Sequence, residues 1–192
     1  MSASRDWDAA TYDRISDIQL QWALEQLDRL ELPEPVDAAF SNATFHWVHD
    51  HDQLFARLYA ATKPGGQLMA QCGGRGNIDS FRVLADAVAA TDEFKRYFAD
   101  WQRPWNYAGA DETRERLERA GFIDVECWLE PRPVTPEDPR AFVQTVCLVR
   151  HLDPLPEEIR PQFIDRVLEQ AGDPLVLEYV RLNMTARRSA VS

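Results

Sequence analysis

The chain contains no glycine before Gly65, and then five within a short span: Gly65, Gly66, Gly73, Gly74 and Gly76. Glycine is where a backbone turns left-handed or closes on a ligand at least cost. No loop in the first third can therefore lay its backbone against a ligand in the way a glycine loop does. The stretch "MAQCGGRGNID" (69–79) has the make-up of a nucleotide turn: a β-prone run ends at Cys72, glycines crowd together, and a helical pattern follows. A strand, a glycine turn and a helix N-terminus can cradle an anion through backbone N–H groups. Yet "GGRG" lacks the spacing G-x-G-x-x-G. No acidic residue ends a second strand about twenty residues on, where a ribose would need it. As a dinucleotide loop the match is weak.

Around this stretch strands and helices alternate. Residues 11–31 place Ile15, Ile18, Trp22, Leu27 and Leu30 at helical spacing, and "LPEP" (32–35) stops the helix. "VDAAFSN" (36–42) reads as a short buried strand. Residues 50–66 read as an amphipathic helix with Asp50 as its N-cap, ended by Pro64-Gly65-Gly66. A strand over 67–73 follows, then one or two helices over 77–101 broken near Asp92. A helix over 111–122 is closed by Gly121. An alternating strand pattern spans 123–134, with Val125, Cys127 and Leu129 on one side. Residues 137–152 and 156–171 read as helical. Residues 175–188 alternate as a strand, with helix as the alternative. This order predicts an α/β sheet covered by helices, its final strand an antiparallel edge or hairpin partner.

The 192 residues, 45% of them apolar, suit one domain with a real core. No apolar run is long enough to cross a membrane and the N-terminus carries no apolar signal region, so a soluble cytoplasmic protein is expected. A formal net charge of −11 repels nucleic acid and anionic membrane surfaces, so neither is expected as a partner. The same field repels acidic small molecules, and a carboxylate substrate would need local arginines. Cys72, Cys127 and Cys147 are too sparse for a disulfide framework and read as buried apolar residues.

Three groups of residues could carry chemistry. "SNATFHW" (41–47) follows a strand, and in open α/β sheets ligands bind beyond the carboxyl ends of strands. Asn42, Phe45, His46 and Trp47 therefore sit where a ligand is expected, although Phe45 and Trp47 also suit a core. In "HWVHDHD" the spacing of His46, His49 and His51 is poor for ligation from one helix face, and no metal is assigned. Trp7, Tyr12, Trp101, Trp105 and Tyr107 form an aromatic set. Of these, "RPWNYAG" (103–109) reads as a loop, where large aromatics serve either binding or a satellite hydrophobic cluster.

Four segments resemble class I methyltransferases that use S-adenosylmethionine, the trans-aconitate methyltransferase type in particular: "WDAATYDRISDIQLQWALEQLDRL", "FSNATFHWVHDHDQLFARLYAATKPGGQLMAQCGG", "GFIDVECWLEPRPVTPEDPRAFVQTVCL" and "YVRLNMTARR". The resemblance implies an incomplete Rossmann-like sheet of about four strands, the last pair antiparallel. It implies a single truncated domain over 1–192: an N-terminal helix and junction (1–35), a fourth- and fifth-strand unit (36–76), a helical lid region (77–122) and C-terminal strands and helices (123–192). It implies methyl transfer from S-adenosylmethionine to an oxygen, carboxylate or hydroxyl, of a small molecule. Trp7 and Tyr12 would close over the cofactor, and Asn42 and Ala43 would meet it at the methyl-transfer edge. His46 would be the base for a hydroxyl, its ordinary pKa lying near neutrality. Phe45, Trp47, Trp105, Asn106 and Tyr107 would line the substrate, and Arg75 or Arg103 would meet a carboxylate. "QCGGRGN" would end the fifth strand, on the substrate side.

In that family a glycine-rich cofactor loop follows the first strand. Here the text runs straight from Leu30-Glu31-Leu32 to Pro33-Glu34-Pro35-Val36-Asp37. An internal deletion between two similar leucine–acid–leucine stretches would remove that loop, the acidic ribose ligand and roughly two to three βα units. "VDAAFSN" would become a sheet edge, and marginal stability or a homodimer through 36–42 is expected. A non-catalytic remnant that pairs with an intact paralogue is the alternative function.

Overall fold

The computed structural model describes residues 35–190; the helix expected over 11–31 lies outside the described residues. Four strands form one sheet, β1 (Val36–Asn42), β2 (Thr62–Gly73), β3 (Phe122–Pro131) and β4 (Val180–Arg188), in the order β1-β2-β4-β3. β1 and β2 run parallel, while β4 is antiparallel to both of its neighbours. The last strand is thus the hairpin-type partner of β3, but it is internal and not an edge. Among the described residues β1 and β3 are the sheet's outer strands.

The parallel pair is joined by α1 (His51–Ala61), whose first turn is capped by the Asp50 side chain accepting from Gln53 N–H at 2.9 Å. α1 ends at Ala61, and "KPGG" does not terminate it. Val36 pairs with Thr62 but Ala38 pairs with Gln67, so Lys63–Gly66 bulge out of β2. Gly65 turns at φ +80°. A Cβ on Gly66 would come within 2.9 Å of the Asp37 and Lys63 carbonyl oxygens. The glycines thus permit a bulge inside a strand where the sequence suggested a helix stop.

α2 (Asp79–Ala89) follows β2, and the chain breaks at Thr91–Asp92 before a short 3-10 turn at Lys95–Tyr97. α3 (Ala110–Arg119) starts with the Gly109 N–H donating to Glu112 Oε1 and turns into β3 through Gly121 at φ +105°. After β3 come two short helical turns, Pro139–Phe142 and Val149–Leu152, on either side of a wide turn at Val143–Cys147, and then α4 (Arg160–Ala171). Residues 175–179 are not strand; Leu177 forms a lone bridge with Val134 before β4 begins.

Two apolar cores result. Leu68, Ala70 and Cys72 of β2 alternate inward with Leu182 and Met184 of β4 and meet Phe55 of α1 and Leu117 of α3. A second cluster joins Phe81, Val88, Phe94, Phe163 and Val167, where α2 packs on α4. On the other side of the sheet Phe40, Met69 and Trp128 are exposed. The expectation of a buried β1 therefore does not hold: only Val36, Ala39 and Ser41 are partly covered. All three cysteines are buried, and burial pushes each thiol up to about 11.

Candidate functional site

β1 and β2 end side by side at Asn42 and Gly73, the edge of a parallel pair where ligands bind. Just past β1, Ala43 adopts a left-handed conformation, φ 57°, and donates its N–H to Gln71 O at 2.7 Å. A left-handed alanine is strained, and strained backbone of this kind concentrates at functional sites. The turn throws Phe45–Trp47 into a 3-10 helix across the end of β2.

His46 lies in this turn, 8% exposed, and its Nδ1 accepts the Gly73 N–H at 3.2 Å. In a neutral imidazole an accepting Nδ1 leaves the proton on Nε2. Burial first, then the positive field of Arg181 and the nearby His51, lower its pKa to about 4. At neutral pH the ring is therefore uncharged and presents a donor. Its one lone pair is already spent on Gly73, so the expected general base is not what this geometry supplies.

The loop expected at 103–109 closes over the same edge. Asn106 donates its N–H to His46 O at 2.7 Å and its side-chain amide to His49 O at 3.0 Å. This clamp holds the Trp105 and Tyr107 rings stacked, centroids 6.0 Å apart, with Tyr107 5.6 Å from His46. Arg82 of α2 sits over both rings, 5.2 Å from Tyr107 and 5.6 Å from Trp105, steered by its ion pair with Asp79 at 2.6 Å. Trp47, 44% exposed, meets Trp105 edge-on at 6.4 Å.

A parallel pair followed by an internal antiparallel strand is the sheet pattern of a Rossmann-like methyltransferase. Residues 4–70 match a methyltransferase domain. The chain is 28% identical over 179 aligned positions to a trans-aconitate 2-methyltransferase of Paracidovorax citrulli, covering 82% of this chain and 64% of that protein. It is 30% identical over 174 positions to the Variovorax paradoxus protein of the same name, covering 80% and 63%. A phosphoethanolamine N-methyltransferase 2 of Haemonchus contortus, solved with S-adenosyl-L-methionine, is 22% identical over 81% of this chain and 34% of that one, with a TM-score of 0.40. The chain thus spans just under two thirds of the two trans-aconitate 2-methyltransferases. Its share of the Paracidovorax alignment, 82% of 192 residues, is about 157 residues, fewer than the 179 aligned positions.

Against a methyltransferase pattern, the glycines of 73–76 are not a cofactor cradle. The Gly73 N–H goes to His46, Gly74 N–H to Val180 O, Arg75 N–H to Ala108 O, Asn77 N–H to Gly74 O and Ile78 N–H to Glu178 O. The space a Cβ on Gly73 would occupy is filled by the Tyr107 ring at 2.6 Å. These glycines let Tyr107 and the start of β4 close on the backbone, leaving no N–H nest for an anion. The turn at 73–78 therefore offers S-adenosylmethionine no backbone cradle.

Phe45 is 6% exposed and packs edge-on against Phe55, so it is a core residue where a substrate contact was expected. Arg75 is paired with Glu112 at 3.1 Å and lies on Gly109, and Arg103 is paired with Asp86 at 2.5 Å. Each guanidinium is thus already paired with a carboxylate. Trp7 and Tyr12 lie outside the described residues. In "HWVHDHD", Asp50 caps α1, Asp52 pairs with Arg116 and Arg119, and His51 Nε2 bonds Phe45 O at 3.0 Å. No three His, Cys, Asp or Glu side chains come together for a metal among the described residues. Nor is any described helix long and apolar enough to cross a membrane. The arginines that do approach the site, Arg82 and Arg181, carry no motif. Their only signal is position, one turn into α2 and one residue into β4.

Proposed function

We propose that this chain is an S-adenosylmethionine-dependent methyltransferase that acts on a carboxylate oxygen of a small molecule, its methyl transfer impaired by loss of the glycine-rich cofactor loop. The observation that carries the choice of acceptor is the state of His46. A hydroxyl acceptor must lose a proton, and His46 has no lone pair to take it. A carboxylate is ionised already. It needs a donor to fix its orientation, for which the His46 Nε2–H is available, beside the half-buried aromatic wall of Trp105 and Tyr107. The impairment is supported by the absence of any glycine before Gly65. Isothermal titration with S-adenosylmethionine tests this reading. Weak binding that saturates only toward millimolar ligand is expected. Micromolar binding overturns the impairment, and no binding at millimolar concentration overturns cofactor-dependent transfer.

A second reading, an interaction module that dimerises, is favoured by the outer edge of β1. No strand pairs with it among the described residues, and Phe40 at its centre is 76% exposed. Such an edge recruits another chain unless a lysine or proline blunts it. Sedimentation across a range of concentrations should show self-association that Phe40→Lys weakens. A monomer at every concentration excludes this reading.

A further inference from the structure

On the face of the sheet away from α1 and α3, a cavity of about 340 Å³ opens between Gln71 of β2, Arg181 of β4, Tyr179 just before it, and Arg132 and Val134 after β3. This volume suits a small molecule. Its polar wall is one hydrogen-bonded chain. Arg181 Nε donates to Gln71 Oε1 at 3.2 Å, and Gln71 Nε2 donates to Asn183 Oδ1 at 2.8 Å. Asn183 Nδ2 in turn donates to Glu130 Oε2 at 3.3 Å, and Glu130 Oε1 holds Arg132 at 2.5 Å. Each guanidinium is thus fixed by a neighbour, Arg181 by an amide and Arg132 by a carboxylate. Two arginines against one glutamate leave a local excess of one positive charge in a chain whose net charge is −11.

Nothing else in the wall neutralises that excess, since Gln71 and Val134 carry no charge and burial keeps the Tyr179 phenol protonated. The charge also acts toward the His46 edge. Arg181 is a cause of the lowered His46 and opposes the burial of Cys72 and Tyr107. Planar guanidinium forks held in place match a carboxylate, and preorganisation lowers the ordering cost of binding.

We propose that this cavity is an anion subsite in which Arg181 and Arg132 take a carboxylate group of a small organic acid. The inference rests on the carboxylate reading for the nature of the ligand, but it concerns a different group of atoms from the His46 donor. Succinate, acetate and inorganic phosphate are the probes, titrated into the intact chain without S-adenosylmethionine and followed by calorimetry. Succinate should bind, and Arg181→Gln should weaken it at least tenfold. Arg132→Gln, at a side chain 65% exposed and so harmless to folding, should weaken it severalfold. Arg166→Gln, the same charge change on α4, should leave it unchanged. Equal succinate affinity in the wild type, Arg181→Gln and Arg132→Gln overturns the subsite, as does phosphate binding with no acid binding. Loss of succinate binding in the two arginine variants, with full binding in His46→Phe, keeps the subsite and removes support for the acceptor reading. The two ideas can therefore fail separately.

Discussion

Gly73→Val is expected to destabilise the protein by about 2–3 kcal/mol and to release His46 from its low-pKa state. Even the first side-chain carbon at this position would lie 2.6 Å from Tyr107 Cε1, 3.0 Å from Cδ1 and 3.2 Å from Asn77 Nδ2. Tyr107 has little room to retreat, because its ring is stacked on Trp105, covered by Arg82 and set by the Asn106 clamp. Moving it disturbs every contact that shapes the candidate site. Tyr107 also lies 5.6 Å from His46, so moving its ring lets water reach the imidazole and relieves the burial that is the first cause of its low pKa. Chemical denaturation should show the lower midpoint. Histidine NMR should show one ring whose titration moves up from about 4 toward the ordinary value near 6.5. An unchanged midpoint together with an unmoved titration would sink the argument that Gly73 is the hub of the site.

The parts of this fold that the sequence made legible are those fixed by local rules. Asp50 caps α1 because an acidic side chain at a helix start meets unpaired N–H groups, whatever surrounds it. The alternation of 123–134 predicted β3, and Gly121 marked the turn after α3, because period and positive φ are properties of a few residues. What was not legible depends on partners distant in sequence. "KPGG" has the local signature of a helix stop, and only the pairing of Val36 and Ala38 with β2 turns it into a bulge. The internal place of β4 follows from pairing with strands far earlier in the chain. His46 was legible as a candidate but its tautomer was not, since that is set by one backbone N–H from Gly73. Arg82 and Arg181 were missed altogether, for a lone arginine in a helix or strand looks like solvated surface until aromatic rings or a cavity are placed beside it.

Acidification from pH 7 to about pH 4.5 should cost the protein more stability than its exposed surface charges can account for. His46, His51 and His151 are all buried, and burial is the first cause of a lowered pKa in each. The bond from His51 to Phe45 O and that from His151 to Asp86 push the other way without reversing the direction. The unfolded chain takes up protons on these rings near pH 6.5, whereas folded His46 does so only near pH 4. Between those values the unfolded state binds more protons. Stability therefore rises with pH across the window and is lost as pH falls through it. For His46 alone the loss by pH 5 is on the order of 1 kcal/mol once partial screening by solvent is allowed for. Glu112, whose carboxyl is held below its ordinary range by the Gly109 N–H, adds its own loss only further down, so the upper part of the window belongs to the histidines. Denaturation midpoints at pH 7, 6 and 5 should fall steadily. His46→Gln should flatten the slope, because glutamine keeps an acceptor for the Gly73 N–H and takes up no proton. A midpoint that stays constant from pH 6.5 to 4.5 would mean that these rings are not held neutral by the fold. The reading of His46 as a donor would then lose its basis.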